Sequence, residues 1–575
     1  MQCRRNGRPL AGRGFTAERA RARRNSSRRA TTSRTGRKGG RQVLKGLVSI
    51  ILHAHLPYVR HPEHEDFREE WWFFEGMTEC YVPLVDALTR LESEGVPGRI
   101  SISLTPPLLS MMMDPLLRRR YSRHLARLIE LAQREVIRLE HDATLRPLAE
   151  MYLRQFLRVR RVYEDTYHTD LVRAFRELQD AGRIEILASA ATHGFLPLLD
   201  LNPEAVRAQM EVGVRLYERV FGRKPAGFWL PECGYSPGHD EHLARLGVRY
   251  VILESHGVLH ATPRPRYACF APVECPSGVV AFGRDTDSSK QVWSAQEGYP
   301  GDPNYREFYR DIGYDLDWDY VSRYLPGDGA RANTGIKYFR ITGKDSGYKE
   351  PYVPDIARER AAVHAGNFMF NRQKQAEYWS KAMDHVPIVV CPYDAELFGH
   401  WWFEGIQWLE LLIRKTAYAQ DEIRLATPSD YLAMYPVNQP CQPPMSSWGF
   451  RGYNEVWLEG SNDWIWRHLH KAAERMTTLA RRYHDAGEPT RRALNQAGRE
   501  LLLAQASDWP FILKTGTVTE YAVKRLTGHL GRFTKIFDCL SEGPAAEGLL
   551  YEDGWLPRVE AKDNIFPDMD YRVFG

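Results

Sequence analysis

The sequence is short of several features, and each shortage narrows the reading. Its eight cysteines are scattered, with no CxxC pair and no framework spacing. A disulfide scaffold is therefore not expected, and reduced thiols of a cytoplasmic protein are. No apolar run reaches the roughly 18 residues that a membrane span needs, and no signal-peptide apolar region is present. There is no internal repeat. Acidic residues are nearly missing from the first 45 positions, which hold fifteen Lys and Arg against the single acid Glu18. That segment also accounts for the overall charge of +5, because the remainder has 63 basic and 72 acidic residues, a net charge of −9. The body is mildly acidic, so nucleic acid is not an expected partner. Residues 1–45 cannot bury a core and are expected to be disordered or to lie outside the mature protein.

The 575 residues call for more than one domain. Fifteen Trp and twenty-nine Tyr are the unusual component. Their flat faces fill cores and also stack on ligands such as sugar rings. Strand patterns at 47–52, 99–104, 184–189, 249–253 and 387–393 alternate with helical ones at 70–94, 203–221, 239–246 and 355–384. That order predicts a largely parallel α/β domain. A helical insertion is expected over about 108–180. Residues 255–350 read as irregular, and a helix after 400 is expected to carry Trp401, Trp402 and Trp408. Helices return after a Pro-rich linker at 436–444, and 542–575 reads as a loosely packed tail.

Polar residues recur where strands end. His53 and His55 follow the first strand at i and i+2, on one face. His193 follows the third, Glu232 ends Phe228-Trp-Leu-Pro-Glu, and Asp394 with Glu396 ends 387–393. In a parallel barrel the carboxyl ends of the strands share one rim. Two carboxyl groups there suit glycosidic chemistry, one attacking and the other protonating the leaving oxygen. The same histidines and Asp394 would also suit a metal such as zinc, which keeps a metal-dependent deacetylase or mannosidase-like hydrolase open.

The motifs HAHLP (53–57), ATHGFLP (191–197), WLPECGY (229–235) and CPYDAELFGHWWFEG (391–405) resemble, in order, those of glycoside hydrolase family 57. The stretches 446–466 and 505–511 resemble the helical C-terminal domain of that family's branching members. The resemblance implies an α/β fold, a distorted (β/α)7 barrel with a helical insertion and a C-terminal all-helical domain. The expected divisions are 46–435 for the barrel, 436–541 for the helical domain and 542–575 for the tail.

The resemblance also implies a cytoplasmic, retaining 1,4-α-glucan branching activity with no metal or cofactor, acting on amylose- or glycogen-like glucans. A monomer or homodimer is expected. An α-amylase or 4-α-glucanotransferase of the same family is the alternative, and a glucan-binding protein without turnover a more distant one. Glu232 aligns with the nucleophile and Asp394 with the general acid/base. His53, His55, His193, Arg310, Tyr314, Trp448, Trp457 and Asp508 align with substrate-contacting positions. Tyr299 is the candidate for a loop tyrosine that favours transfer over hydrolysis.

Overall fold

The computed structural model describes residues 44–294, 296–343 and 347–575. Apart from residues 44 and 45, the segment expected to be disordered lies outside them. The strands are β1 (Gly46–Ala54), β2 (Ile100–Leu104), β3 (Ile184–Ser189), β4 (Gly227–Trp229), β5 (Tyr250–Leu253), β6 (Val273–Glu274), β7 (Val280–Gly283), β8 (Ile388–Asp394), β9 (Ile423–Leu425) and β10 (Gln439–Pro440). Seven of them, in the order β7-β5-β4-β3-β2-β1-β8, form a continuous parallel ladder. The two ends of that ladder meet at one parallel bridge between Arg284 and Val390, where the Asp285 N–H donates to the Val390 carbonyl at 2.8 Å. This is a seven-stranded barrel with a thin seam, the distorted form of the expected fold.

All nine residues of β1 are buried, as befits a parallel strand covered on both faces. Register then sets the rim. His53 lies level with Ser103 of β2 and with Asp394 of β8, and Ser189 of β3 pairs with Trp229 of β4.

The insertion consists of helices at Pro106–Met113, Pro115–Arg138, Arg146–Arg160 and Leu171–Asp180. Asp114 starts the long one by accepting from the Leu116 and Leu117 N–H groups, with Pro115 at the first helical position.

Several expectations need correction. The helix at 70–93 is interrupted by a π-helical segment, Gly76–Tyr81. The stretch read as irregular contains the antiparallel pair β6–β7 and a helix at Thr286–Trp293. Pro272, Pro276 and Gly278 around β6 and β7 read as loop signals and mask these short strands. Trp401 and Trp402 precede the helix Gly405–Tyr418, and only Trp408 lies on it. The last 34 residues are not loosely packed: Leu550, Leu556, Phe566, Tyr571 and Phe574 are buried, and Arg207 donates to the carbonyls of Val573 and Gly575. Among the described residues no helix is long and apolar enough to cross a membrane.

Candidate active site

The turn after β4 is the most constrained backbone on the rim. Pro231–Cys233 forms a single 3₁₀ turn in which Glu232 has φ 60° and ψ 23°, and Cys233 has φ 51°. Such values cost a non-glycine residue about 1–3 kcal/mol and persist only where the surroundings impose them. Here the Cys233 N–H donates to the Leu230 carbonyl at 2.9 Å, and the Trp448 N–H donates to the Glu232 carbonyl at 3.0 Å. A side chain at Gly234 would meet Phe195 at 2.8 Å, so the turn also needs that glycine. The result aims the Glu232 carboxyl into the barrel mouth, where the Trp448 indole N–H donates to Oε2 at 2.6 Å.

Asp394 ends β8 and faces the same cleft, a cavity of about 550 Å³ that His55, Trp448, Trp457 and Asp508 also line. No side-chain donor reaches the Asp394 carboxyl among the described residues. Burial lifts Glu232 to about 7, with the Asp394 charge adding to the rise and the Trp448 N–H opposing it. Burial likewise lifts Asp394 to about 6, against the pull of Arg284 and His55. The pair therefore holds about one proton near neutrality. When that proton sits on Asp394, the indole N–H stabilises an ionised Glu232, the form a nucleophile needs.

The histidines form a stacked column. His53 packs on Trp229 with centroids 4.5 Å apart, and His55 on His193 at 3.8 Å. The Nε2 atoms of His53 and His193 are 3.0 Å apart and share a hydrogen bond, while His193 Nδ1 meets the Ser507 hydroxyl at 2.8 Å. Burial holds both rings well below the usual histidine range, hence neutral. His55 differs. Burial pushes it down, but the Asp508 carboxylate, 3.2 Å from Nε2, reverses that and raises it. Its other nitrogen meets the Thr105 hydroxyl at 3.0 Å, and its backbone N–H donates to Glu396 at 3.1 Å.

With these nitrogens engaged in side-chain hydrogen bonds, the three rings form a hydrogen-bonded column rather than an open ligand set. Among the described residues, the one acid and histidine cluster close enough to hold a metal is Glu500, His529 and Asp563, in the helical region. Arg532 already bonds both of its carboxylates at 2.9 Å.

Other expected site residues lie elsewhere. Arg310 pairs with Asp315 at 2.9 Å and stacks on Phe339, and Tyr314 is half exposed; neither lines the cleft. Tyr299 is buried, stacked on His364, with its hydroxyl donating to Asn367 at 2.8 Å. It is a core residue, not a loop tip. Trp457 is buried against Phe195, 4.1 Å between centroids, and reaches the cleft with one edge.

Sequence reasoning missed Arg284, the basic residue lining the cleft, and three exposed aromatics at its mouth, Trp293, Phe450 and Phe511. Arg284 stands at the barrel seam, pairs with Glu254 at 3.0 Å and lies 5.3 Å from the Trp448 ring. A lone Arg after a four-residue strand carries no sequence signal. The helical wall is joined to the rim by the Ser507 N–H donating to the His193 carbonyl and by a bridge between Gly194 and Ala506.

Two carboxyl groups, a stacked imidazole column and aromatic walls at the C-terminal rim of a barrel define a glycosidase-type site. The family model for glycosyl hydrolase family 57 matches residues 49–442, and the model for the C-terminal region of 1,4-α-glucan branching enzymes matches 468–574. The chain belongs to glycosyl hydrolase family 57. It is 34% identical over 522 residues to a 1,4-α-glucan branching enzyme of Thermococcus kodakarensis, spanning 86% of this chain and 73% of that protein. The crystal structure of an α-amylase, AmyC, from Thermotoga maritima is 42% identical with a TM-score of 0.86, covering 92% of this chain and 99% of that one. A branching enzyme structure from Pyrococcus horikoshii is 34% identical, with a TM-score of 0.81 and coverages of 92% and 97%.

Proposed function

We propose that the chain is a 1,4-α-glucan branching enzyme working by a retaining mechanism. The observation that carries the reading is the pairing in one cleft of a donor-held carboxyl, Glu232, with a donor-free carboxyl, Asp394. Ionised Glu232 attacks C1 of an α-1,4-linked glucosyl unit while Asp394 gives its proton to the leaving oxygen, forming a covalent glycosyl-enzyme. Asp394, now ionised, takes the proton from the 6-hydroxyl of an acceptor chain as that oxygen displaces Glu232 from C1. An α-1,6 bond results and both groups return to their starting states. His55 and Asp508 contact sugar hydroxyls, with the buried His53 and His193 stacked behind them, and Trp448, Trp293, Phe450 and Phe511 supply stacking faces that, with the Trp457 edge, exclude water.

In this reading residues 46–435 form the catalytic unit, with a helical domain from 436 closing one side. The seven described cysteines are free and buried, which fits a cytoplasmic protein. The expected partner is a glycogen-like α-glucan, and the expected assembly a monomer or homodimer.

A second reading, net hydrolysis as in an α-amylase, has its own support. The 42% identity to the Thermotoga maritima α-amylase structure supports it. Incubation with amylose, followed by debranching and chain sizing, distinguishes the two. New α-1,6 linkages support transfer, whereas reducing ends alone would overturn it.

A further inference from the structure

The loop Ser447–Tyr453 walls one side of the cleft, and its outer side carries a second cavity of about 520 Å³. The two cavities share Trp448 and Gly449. The loop is a built element. The Ser447 N–H donates to the Gly452 carbonyl and the Gly452 N–H to the Gly449 carbonyl, both at 2.8 Å. Gly452 has φ 85°, and a side chain there would sit 2.6 Å from the His256 ring, whose Nε2 donates to the Gly452 carbonyl at 2.9 Å. Arg451 is held at φ 63°, with its guanidinium over the exposed Phe450 ring.

We propose that this outer groove binds a second α-glucan chain, the acceptor, resting on the transfer reading above. Three observations favour a neutral polyhydroxylated chain. Tyr453 is 44% exposed, and a sugar ring could stack on it. Arg451, His256 and Glu254 are polar groups of mixed charge able to engage neighbouring hydroxyls, rather than a single-sign patch for an ion. The groove is also continuous with the donor cleft. One indole separates them, and that indole donates to Glu232, while the Glu254–Arg284 pair runs beneath it from groove to cleft. Transfer needs two chains at one carbon. A chain lying along the outer side of Trp448 could pass its 6-hydroxyl over Gly449, which lines both cavities, towards Asp394.

The test uses the full chain with amylose as donor and a graded short maltooligosaccharide as acceptor, counting α-1,6 linkages against new reducing ends. Tyr453→Ala should raise the half-saturating acceptor concentration by about fivefold, as loss of one stacking contact predicts, with the maximal transfer rate recovered at high acceptor. Tyr453→Phe, which keeps the ring, should behave as wild type and controls for folding. Unchanged acceptor dependence in Tyr453→Ala, with wild type making α-1,6 bonds, would overturn the groove alone. A wild type that makes no α-1,6 bonds would remove the transfer reading and the groove with it.

Discussion

The strand-end rim and the aromatic wall meet in one cleft but are built in opposite ways. On the rim, His53, His55 and His193 are each tied by two or more side chains, and Glu232 is pinned through both its backbone and its carboxyl. On the wall, Trp293, Phe450 and Phe511 are 51%, 66% and 45% exposed, on loops or short helices. Chemistry that depends on sub-ångström placement sits on the rigid scaffold, and recognition of a pliable polymer sits on the connections.

This contrast orders the expected effects. The largest belong to the rim. Glu232→Ala or Asp394→Ala should lower glucan transfer by about a thousandfold or more, the scale of losing a nucleophile or its proton donor. Near-normal turnover in either variant would break the assignment.

The junction of rim and wall comes next. Trp448→Phe keeps a ring but removes the N–H on Glu232. Loss of a hydrogen bond to a charged group, about 1.5–3 kcal/mol, should slow turnover about 10- to 100-fold. Glu232 should then be harder to ionise, so the acid limb of the pH–rate profile should move to higher pH. An unmoved limb would show that the indole only packs.

A smaller effect is read in stability. Glu232, Asp394 and Glu396 are all raised in the folded protein, chiefly by burial. The native state therefore binds more protons than the unfolded state between the ordinary carboxyl range near 4 and about 7, and stability falls as pH rises through that window. Glu232→Gln removes one such group. It should be more stable than wild type at pH 8 by about 1 kcal/mol, below the full value of the shift because the Glu232 side chain keeps 19% of its surface open to the cleft. The gain should vanish near pH 4. An equal gain at both pH values would refute the linkage. Smallest of all, Tyr299→Phe should leave the ratio of transfer to hydrolysis unchanged while costing about 1 kcal/mol of stability for its bond to Asn367.

The rim was the more legible half. Apolar stretches followed by His or an acid made the C-terminal ends of β1, β3, β4 and β8 readable, and parallel register brings such ends together. The wall was less so. Trp448 and Asp508 were found through motif resemblance, but the same reasoning put Arg310 and Tyr314 at the cleft, where the chain instead pairs Arg310 with its neighbour Asp315. A linear motif in a long connection does not specify which side of a rim it will face. Arg284 and the barrel seam could not be foreseen, because a one-residue bridge has no periodicity. The tail was misread because its buried side chains are spaced irregularly between short turns.

The most direct test of the central claim is to trap the reaction on the protein. A slow α-glucosyl fluoride inactivator, followed by proteolysis and mass spectrometry, should leave a glycosyl group on the peptide containing Glu232 and on no other. A label on a different carboxylate, or turnover of amylose with inversion and no adduct, would contradict the account.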